Sequence, residues 1–122
     1  MDKKYEVKIK KLTEEIKNLE NQREYHFNDI KNAPMDKQGI YILYSKKKEI
    51  LYVGITQKRR EGLRGRLKRH FSGKGTFARK IKKSREWIRK NCLFKFRVIN
   101  SLRKRRILEH FTIAILNPKY ND

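Results

Sequence analysis

Acidic residues, cysteine and long apolar runs are all scarce in this chain of 122 residues. Only 13 Asp and Glu stand against 34 Lys and Arg, which leaves a net charge of +21. A surplus that large pushes a compact chain apart by self-repulsion, so a polyanionic partner is expected. The single cysteine, Cys92, excludes an internal disulfide framework and any zinc site built on several thiolates. It reads as a reduced, half-buried thiol of a cytoplasmic protein. The longest apolar runs are about six residues, far short of a membrane span. The N-terminal "MDKKYEVKIKK" has no apolar core of the kind a signal peptide needs. No membrane partner is therefore expected, and nucleic acid is the first candidate for the anion. Hydrophobic residues make up 37% of the chain, enough for one modest core.

What charge there is lies in one place. Between Thr56 and Arg106 stand 21 lysines and arginines against only Glu61 and Glu86, whereas the first thirty residues are close to balanced. The apolar residues Tyr5, Ile9, Leu12, Ile16 and Leu19 alternate in threes and fours, a heptad-like helix pattern expected over 5–30 and ended by Ala33-Pro34. This helix has two uses. It can pair weakly with a second copy along Ile9, Leu12, Ile16 and Leu19, giving a homodimer, or cap its own domain. Residues 39–45 and 50–54 read as strands of a hairpin joined by "KKKE". Helices are expected over 63–71 and 76–90, with Phe77, Ala78, Ile81, Trp87 and Ile88 available to a core. "LFKFRVI" at 93–99 alternates as a third strand, and Ser101 caps a last helix over 102–116. The expected fold class is α+β. A small three-stranded antiparallel sheet is flanked by helices, with a helical extension over 1–33 and the main domain over 34–122.

Several residues suggest chemistry. The last helix opens on Arg103, Lys104, Arg105 and Arg106. Positive charge there opposes the helix macrodipole, so an anion is expected at that end. Within the same helix Glu109 sits among Ile107, Leu108 and Phe111. A carboxylate on an apolar face is costly unless it is paired or bound to metal. Either a salt bridge to a nearby arginine or a hard divalent cation would satisfy it. Arg66 and His70 are four apart and share a helix face at the rim of the apolar stripe. Two tyrosines, Tyr41 and Tyr52, each sit in a strand next to a glycine-marked end of the hairpin. Lys58, Arg59, Arg60, Arg64, Lys68, Arg69, Lys74, Arg79, Lys82 and Lys83 are the candidates for nucleic-acid contact.

These residues together resemble the GIY-YIG nucleases. "GIY" stands at 39–41 and "YVG" at 52–54, with valine in place of the isoleucine that names the family. Downstream, Arg66 and His70, Glu109, and Asn121 in "NPKYN" follow in the family's order. The resemblance covers about residues 36–122 and leaves the N-terminal helix outside. It implies an endonuclease that hydrolyses DNA phosphodiester bonds with Mg²⁺ or Mn²⁺. By similarity Glu109 is the metal ligand, Arg66 holds the phosphate and Tyr41 is the general base. Tyr52 positions the water or a phosphate oxygen. His70 relays the proton or binds the phosphate, and Asn121 braces the site. A phenol ordinarily titrates near 10, so nearby cations are expected to favour the Tyr41 phenolate. Tyr44 is outside the motif and is expected to pack. The alternative is a module of the same fold that binds nucleic acid without catalysis.

Overall fold

Period-two alternation builds the centre of the molecule, and the helices cover what it leaves apolar. The computed structural model describes residues 2–57 and 61–121. Helix α1 (Lys3–Glu20) leads to a two-residue strand β1 (Tyr25–His26) and a 3₁₀ turn (Phe27–Asn32). The hairpin β2 (Gly39–Ser45) and β3 (Ile50–Ile55) follows. Helices α2 (Leu63–Phe71), α3 (Thr76–Ile81) and α4 (Arg85–Asn91) lead to β4 (Cys92–Val98) and α5 (Leu102–Leu116). The sheet is antiparallel with strand order β1-β4-β2-β3.

The α+β class and the flanking helices are as expected, but the sheet has four strands rather than three. The extra strand comes from the segment expected to be helical. Asp2 caps α1 through its carboxylate, and the helix stops at Asn21, well before residue 30. The apolar spacing lapses at Arg23 and His26, and Tyr25 pairs with Phe94 instead. Its ring stacks on Phe94 and Phe96 at centroid distances of 5.4 and 5.8 Å. β1, which lies within the segment 1–33 expected as a helical extension, is an edge strand of the sheet, paired with β4.

The two faces of the sheet differ. Under α2, α3 and α4 lie Tyr41, Leu43, Leu63, Leu67, Phe71, Phe77, Ile88 and Phe94. Under α1 and α5 lie Ile40, Ile42, Tyr44, Val53, Ile55, Leu93 and Leu108, together with Ile16 and Leu19. The second half of α1 thus caps its own sheet, while Tyr5 and Ile9 are 56% and 43% exposed. Half of the heptad-like stripe is used within the chain.

The basic helix expected over 76–90 divides in two. Lys82 takes the left-handed conformation (φ 56°) and ends α3. Ser84 then caps α4, its hydroxyl accepting from the backbone N–H of Trp87 at 3.1 Å. The break leaves Ile88 buried and turns Trp87 to solvent, contrary to the core role expected of it. Cys92 is fully buried rather than half-buried, and burial pushes its thiol up to about 12. Among the described residues no helix is long and apolar enough to cross a membrane.

Candidate active site

Tyr41 faces α2 because Gly39, Tyr41 and Leu43 alternate onto that side of β2. It is fully buried, and its room is made by a glycine. Tyr41 lies opposite Gly54 on β3, and a Cβ on Gly54 would overlap the Tyr41 hydroxyl and the ring carbon bearing it. The two halves of the tyrosine hairpin are therefore complementary in shape.

The phenol reaches His70 on α2. Tyr41 Oη and His70 Nε2 are 2.6 Å apart, and both side chains are buried. Burial, with the charges of Arg66 and Arg69, holds His70 neutral by lowering its pKa to about 3. Burial also raises the Tyr41 pKa well above that of an ordinary phenol. Arg66 pulls the other way, while Tyr52 and Glu109 add to the rise. The expected phenolate is thus not the resting form, since desolvation outweighs the positive charges around it. Tyr41 keeps its proton, and in the tautomer whose ring N–H is on Nδ1 the phenol donates to Nε2. Nδ1 is buried without a partner among the described residues.

Tyr52 comes from β3 and packs against the same imidazole, ring centroids 5.2 Å apart. Its pKa is also raised, chiefly by burial. Phe77 of α3 closes the group from above, 5.7 Å from the Tyr52 ring and 6.0 Å from His70. The helical spacing marked Phe77 only as core, so its contact with both site rings was not visible beforehand.

Arg66 lies one turn before His70 and is half-buried. One of its terminal nitrogens is 3.9 Å from Glu61, which also pairs with Arg69 at 2.9 Å. Burial alone would lower the Arg66 pKa, but Tyr41, Glu61 and Tyr52 outweigh it and hold the guanidinium charged. Its Nε is buried without an acceptor among the described residues. A half-buried guanidinium with an unfilled donor suits a phosphate oxygen.

Glu109 on α5 is half-buried and makes no ion pair among the described residues. The salt bridge weighed for it is not found among the described residues. Burial raises its pKa, while His110 and Arg66 offset this only in part. An unpaired, half-desolvated carboxylate fits a hard cation. Among the described residues no three His, Cys, Asp or Glu side chains converge on a metal position. A single carboxylate of this kind can serve a hard divalent cation whose remaining positions are filled by water and substrate oxygens.

Arg105, one turn before Glu109, is the feature the sequence concealed. The run of positive charge at the start of α5 was expected to meet an anion. Arg105 instead points inward and is 2% exposed. Its guanidinium donates to four carbonyls: Thr56, Ile99 and Asn100 at 2.9 Å each, and Gln57 at 2.7 Å. It ties the start of α5 to the ends of β3 and β4. Nothing in the local pattern separates this arginine from Arg103 and Arg106, which are exposed.

Asn121 holds the other side of the hairpin. Its Oδ1 accepts from the Val53 N–H, and its Nδ2 donates to the Val53 carbonyl, both at 2.8 Å. The residue between Tyr52 and Gly54 is thereby fixed.

The basic candidates divide by their contacts. Lys68, Lys74, Arg79, Lys82 and Lys83 are exposed, as is Arg69 despite its ion pair with Glu61. Arg64 does not join them. It donates to the carbonyls of Ala33 at 2.9 Å and Lys31 at 2.7 Å, tethering α2 to the segment before β2. Lys58, Arg59 and Arg60 lie outside the described residues.

The GIY-YIG catalytic domain family matches residues 37–121. No curated protein matches the chain. Among solved structures, the chain resembles the magnesium-bound GIY-YIG N-terminal endonuclease domain of UvrC from Thermotoga maritima. Identity is 24%, the TM-score is 0.55, and the match covers 78% of this chain and 93% of that one. An asparagine-to-alanine point mutant of that domain, bound to its catalytic divalent cation, matches at 23% identity and a TM-score of 0.55. It covers 78% of this chain and 92% of that one. A tyrosine-to-phenylalanine mutant matches at 24% identity and a TM-score of 0.54, with the same 78% and 92% coverage. These structures share the fold, the family match spans most of the chain, and its ordered motif residues stand on that fold: the chain belongs to the GIY-YIG family.

Proposed function

We propose that this chain is a divalent-cation-dependent endonuclease that hydrolyses phosphodiester bonds in DNA. The observation that carries this reading is the 2.6 Å contact between Tyr41 and a neutral, buried His70, beside Arg66. A phenol donating to an imidazole already has the hydrogen bond along which its proton can leave. The unpaired Glu109 and the magnesium in the related domain support a metal at this site. When bound through Glu109, a divalent cation would supply positive charge to the phosphate and its leaving oxygen.

The chain's own residues do the rest. Arg66 engages a non-bridging oxygen of the scissile phosphate. Burial and, after it, the charges of Arg66 and Arg69 keep His70 neutral, and binding that anion cancels part of the charge contribution, so His70 becomes a better proton acceptor once substrate is in place. Tyr41 then passes its proton to His70 Nε2 and takes one from the attacking water. The water oxygen forms the new bond to phosphorus as the bond to the departing 3′ oxygen breaks. Tyr52 shares the pocket and orients the water through its hydroxyl. Asn121 keeps Tyr52 and Gly54 in register through the Val53 backbone. Lys68, Arg69, Lys74, Arg79, Lys82 and Lys83 supply the sequence-independent attraction for the backbone.

Supercoiled plasmid incubated with the protein and Mg²⁺, Mn²⁺ or EDTA tests the reading. Nicked or linear product that needs the cation is expected. Binding of DNA without cleavage in either metal would make the chain a nucleic-acid-binding module instead.

A further inference from the structure

The only tryptophan of the chain stands among exposed basic side chains. Trp87 is 36% exposed, while its neighbour Ile88 is fully buried. Its orientation is set by the break between α3 and α4. Ser84 caps the backbone N–H of Trp87 itself, so the first turn of α4 holds the indole outward. The ammonium of Lys83 lies over the ring, 5.1 Å from its centroid. Lys82, Lys83, Arg85 and Lys90 are all exposed around it, against the single acid Glu86, which pairs with Arg85 at 3.3 Å.

This patch is joined to the candidate active site. Arg89, two residues after Trp87, donates to the carbonyl of Phe71 at 3.0 Å, and Phe71 directly follows His70. On the other side of the break, α3 packs Phe77 against His70 and Tyr52. The helices flanking Lys82–Ser84 are thus both fixed to the elements that carry the site rings.

A cation-rich surface serves any phosphate backbone, but an exposed aromatic face serves only a base that is not already stacked in a duplex. Lys83 adds a charge held at the ring, where the phosphate next to a stacked base would lie. We propose that Trp87 is a stacking platform for an unpaired DNA base. An unpaired strand running from the site across α4 would be held there, so the protein prefers single-stranded or flapped DNA over continuous duplex. This rests on the reading of the chain as a DNA nuclease and names the substrate form that its surface selects.

The lone tryptophan is its own reporter. In EDTA, the wild-type protein is titrated with oligothymidylate, with a flapped duplex and with a blunt duplex of equal length. Indole emission should be quenched by the first two and little changed by the third. By fluorescence anisotropy of labelled DNA, Trp87→Ala should lose roughly 5- to 150-fold in affinity for the unpaired strand and less than about twofold for the duplex. Trp87→Phe should recover part of that loss. Plasmid nicking by Trp87→Ala should be retained, because the indole takes no part in proton transfer. Unquenched emission on binding, or equal losses on both DNA forms, would overturn the platform while leaving the nuclease reading intact. A wild-type protein that binds none of the three would overturn both.

Discussion

Tyr41 and Tyr44 stand three residues apart on β2, face opposite sides of the sheet and are both buried, at 0% and 5% exposure. Burial raises both phenols above their ordinary range. Their surroundings separate them. Tyr41 has His70 at hydrogen-bond distance and Arg66 beside it. The Tyr44 hydroxyl has no partner among the described residues. It lies on the aliphatic face, with Lys95 over its ring at 4.8 Å and the charges of Glu20 and Glu24 adding to the rise in its pKa. Burial alone makes a tyrosine inert. A proton acceptor and an adjacent cation are what the proposed mechanism asks of Tyr41.

The sharpest way to break this comparison is to remove each hydroxyl in turn. Tyr41→Phe should lower the rate of plasmid cleavage by roughly 10²- to 10⁴-fold, the usual worth of a positioned general base. Tyr44→Phe should cleave within about twofold of wild type. Equal rates for the two variants would remove Tyr41 from the mechanism. Where chemistry separates them, titration should unite them. Each raised phenol contributes stability that is full below the unfolded value of 10.0 and is lost as pH rises toward the higher folded value. Alkaline melting curves of both variants should therefore fall less steeply than those of the wild type.

Removing the lone carboxylate comes next. Glu109→Gln keeps the shape and discards the charge, and should cost roughly 10²- to 10³-fold in cleavage, as loss of other transition-state charge stabilisers does. DNA affinity measured in EDTA should stay unchanged or rise slightly, since a negative charge is gone. Activity within a few-fold of wild type would sink the metal assignment.

The aliphatic face should answer in stability rather than chemistry. Ile16 is 3% exposed against the sheet. Ile16→Lys should destabilise the fold by about 2–5 kcal/mol, read from denaturant melts, because it removes buried apolar volume and brings a charge in its place. Sedimentation of the wild type across a concentration series tests the remaining use of α1. Association would rest on Tyr5 and Ile9, and their replacement by lysine should abolish it without a loss of melting temperature.

The acid arm of the pH dependence comes last. The unfolded chain takes up a proton on His70 near pH 6.5, whereas the folded protein resists until about pH 3. The stability His70 contributes is full above pH 6.5 and is lost as pH falls toward 3. The melting curve of wild type should drop faster with acid than that of His70→Phe, which has no such titration. Parallel curves would show that His70 is not held neutral by its surroundings.

The α+β class and the order of the candidate site residues were legible in the sequence, while several element ends and side-chain environments were not. Tyr41, Tyr52, Arg66, His70, Glu109 and Asn121 occur in the family's order, and side-chain chemistry dictated at least the pairing of Arg66 with His70 on one helix face. The structural misreadings came from single residues with weak local signals. Lys82 adopts a left-handed conformation usually given to glycine or asparagine, so nothing marked the break that exposes Trp87. Tyr25 carries no alternating pattern across two residues, and only its pairing with Phe94 makes it a strand. Arg105 and Arg64 look like phosphate ligands until the folded backbone brings carbonyls to them. Burial in this molecule is decided by segments far apart in the chain.

Residues 119–121 also cover an edge of the sheet. β3 is the last strand of the sheet, and a free strand edge invites pairing with another chain. Here the backbone N–H groups of Lys119 and Tyr120 donate to the carbonyls of Ile50 at 3.1 Å and Leu51 at 2.9 Å, and the Asn121 amide then imitates a peptide against Val53. The tail behaves as a surrogate strand that occupies the edge, so the brace beside Tyr52 also covers backbone groups that another chain could pair with. Hydrogen exchange at Val53 would report both roles at once: an Asn121 variant that loses protection there should also become prone to edge-to-edge association.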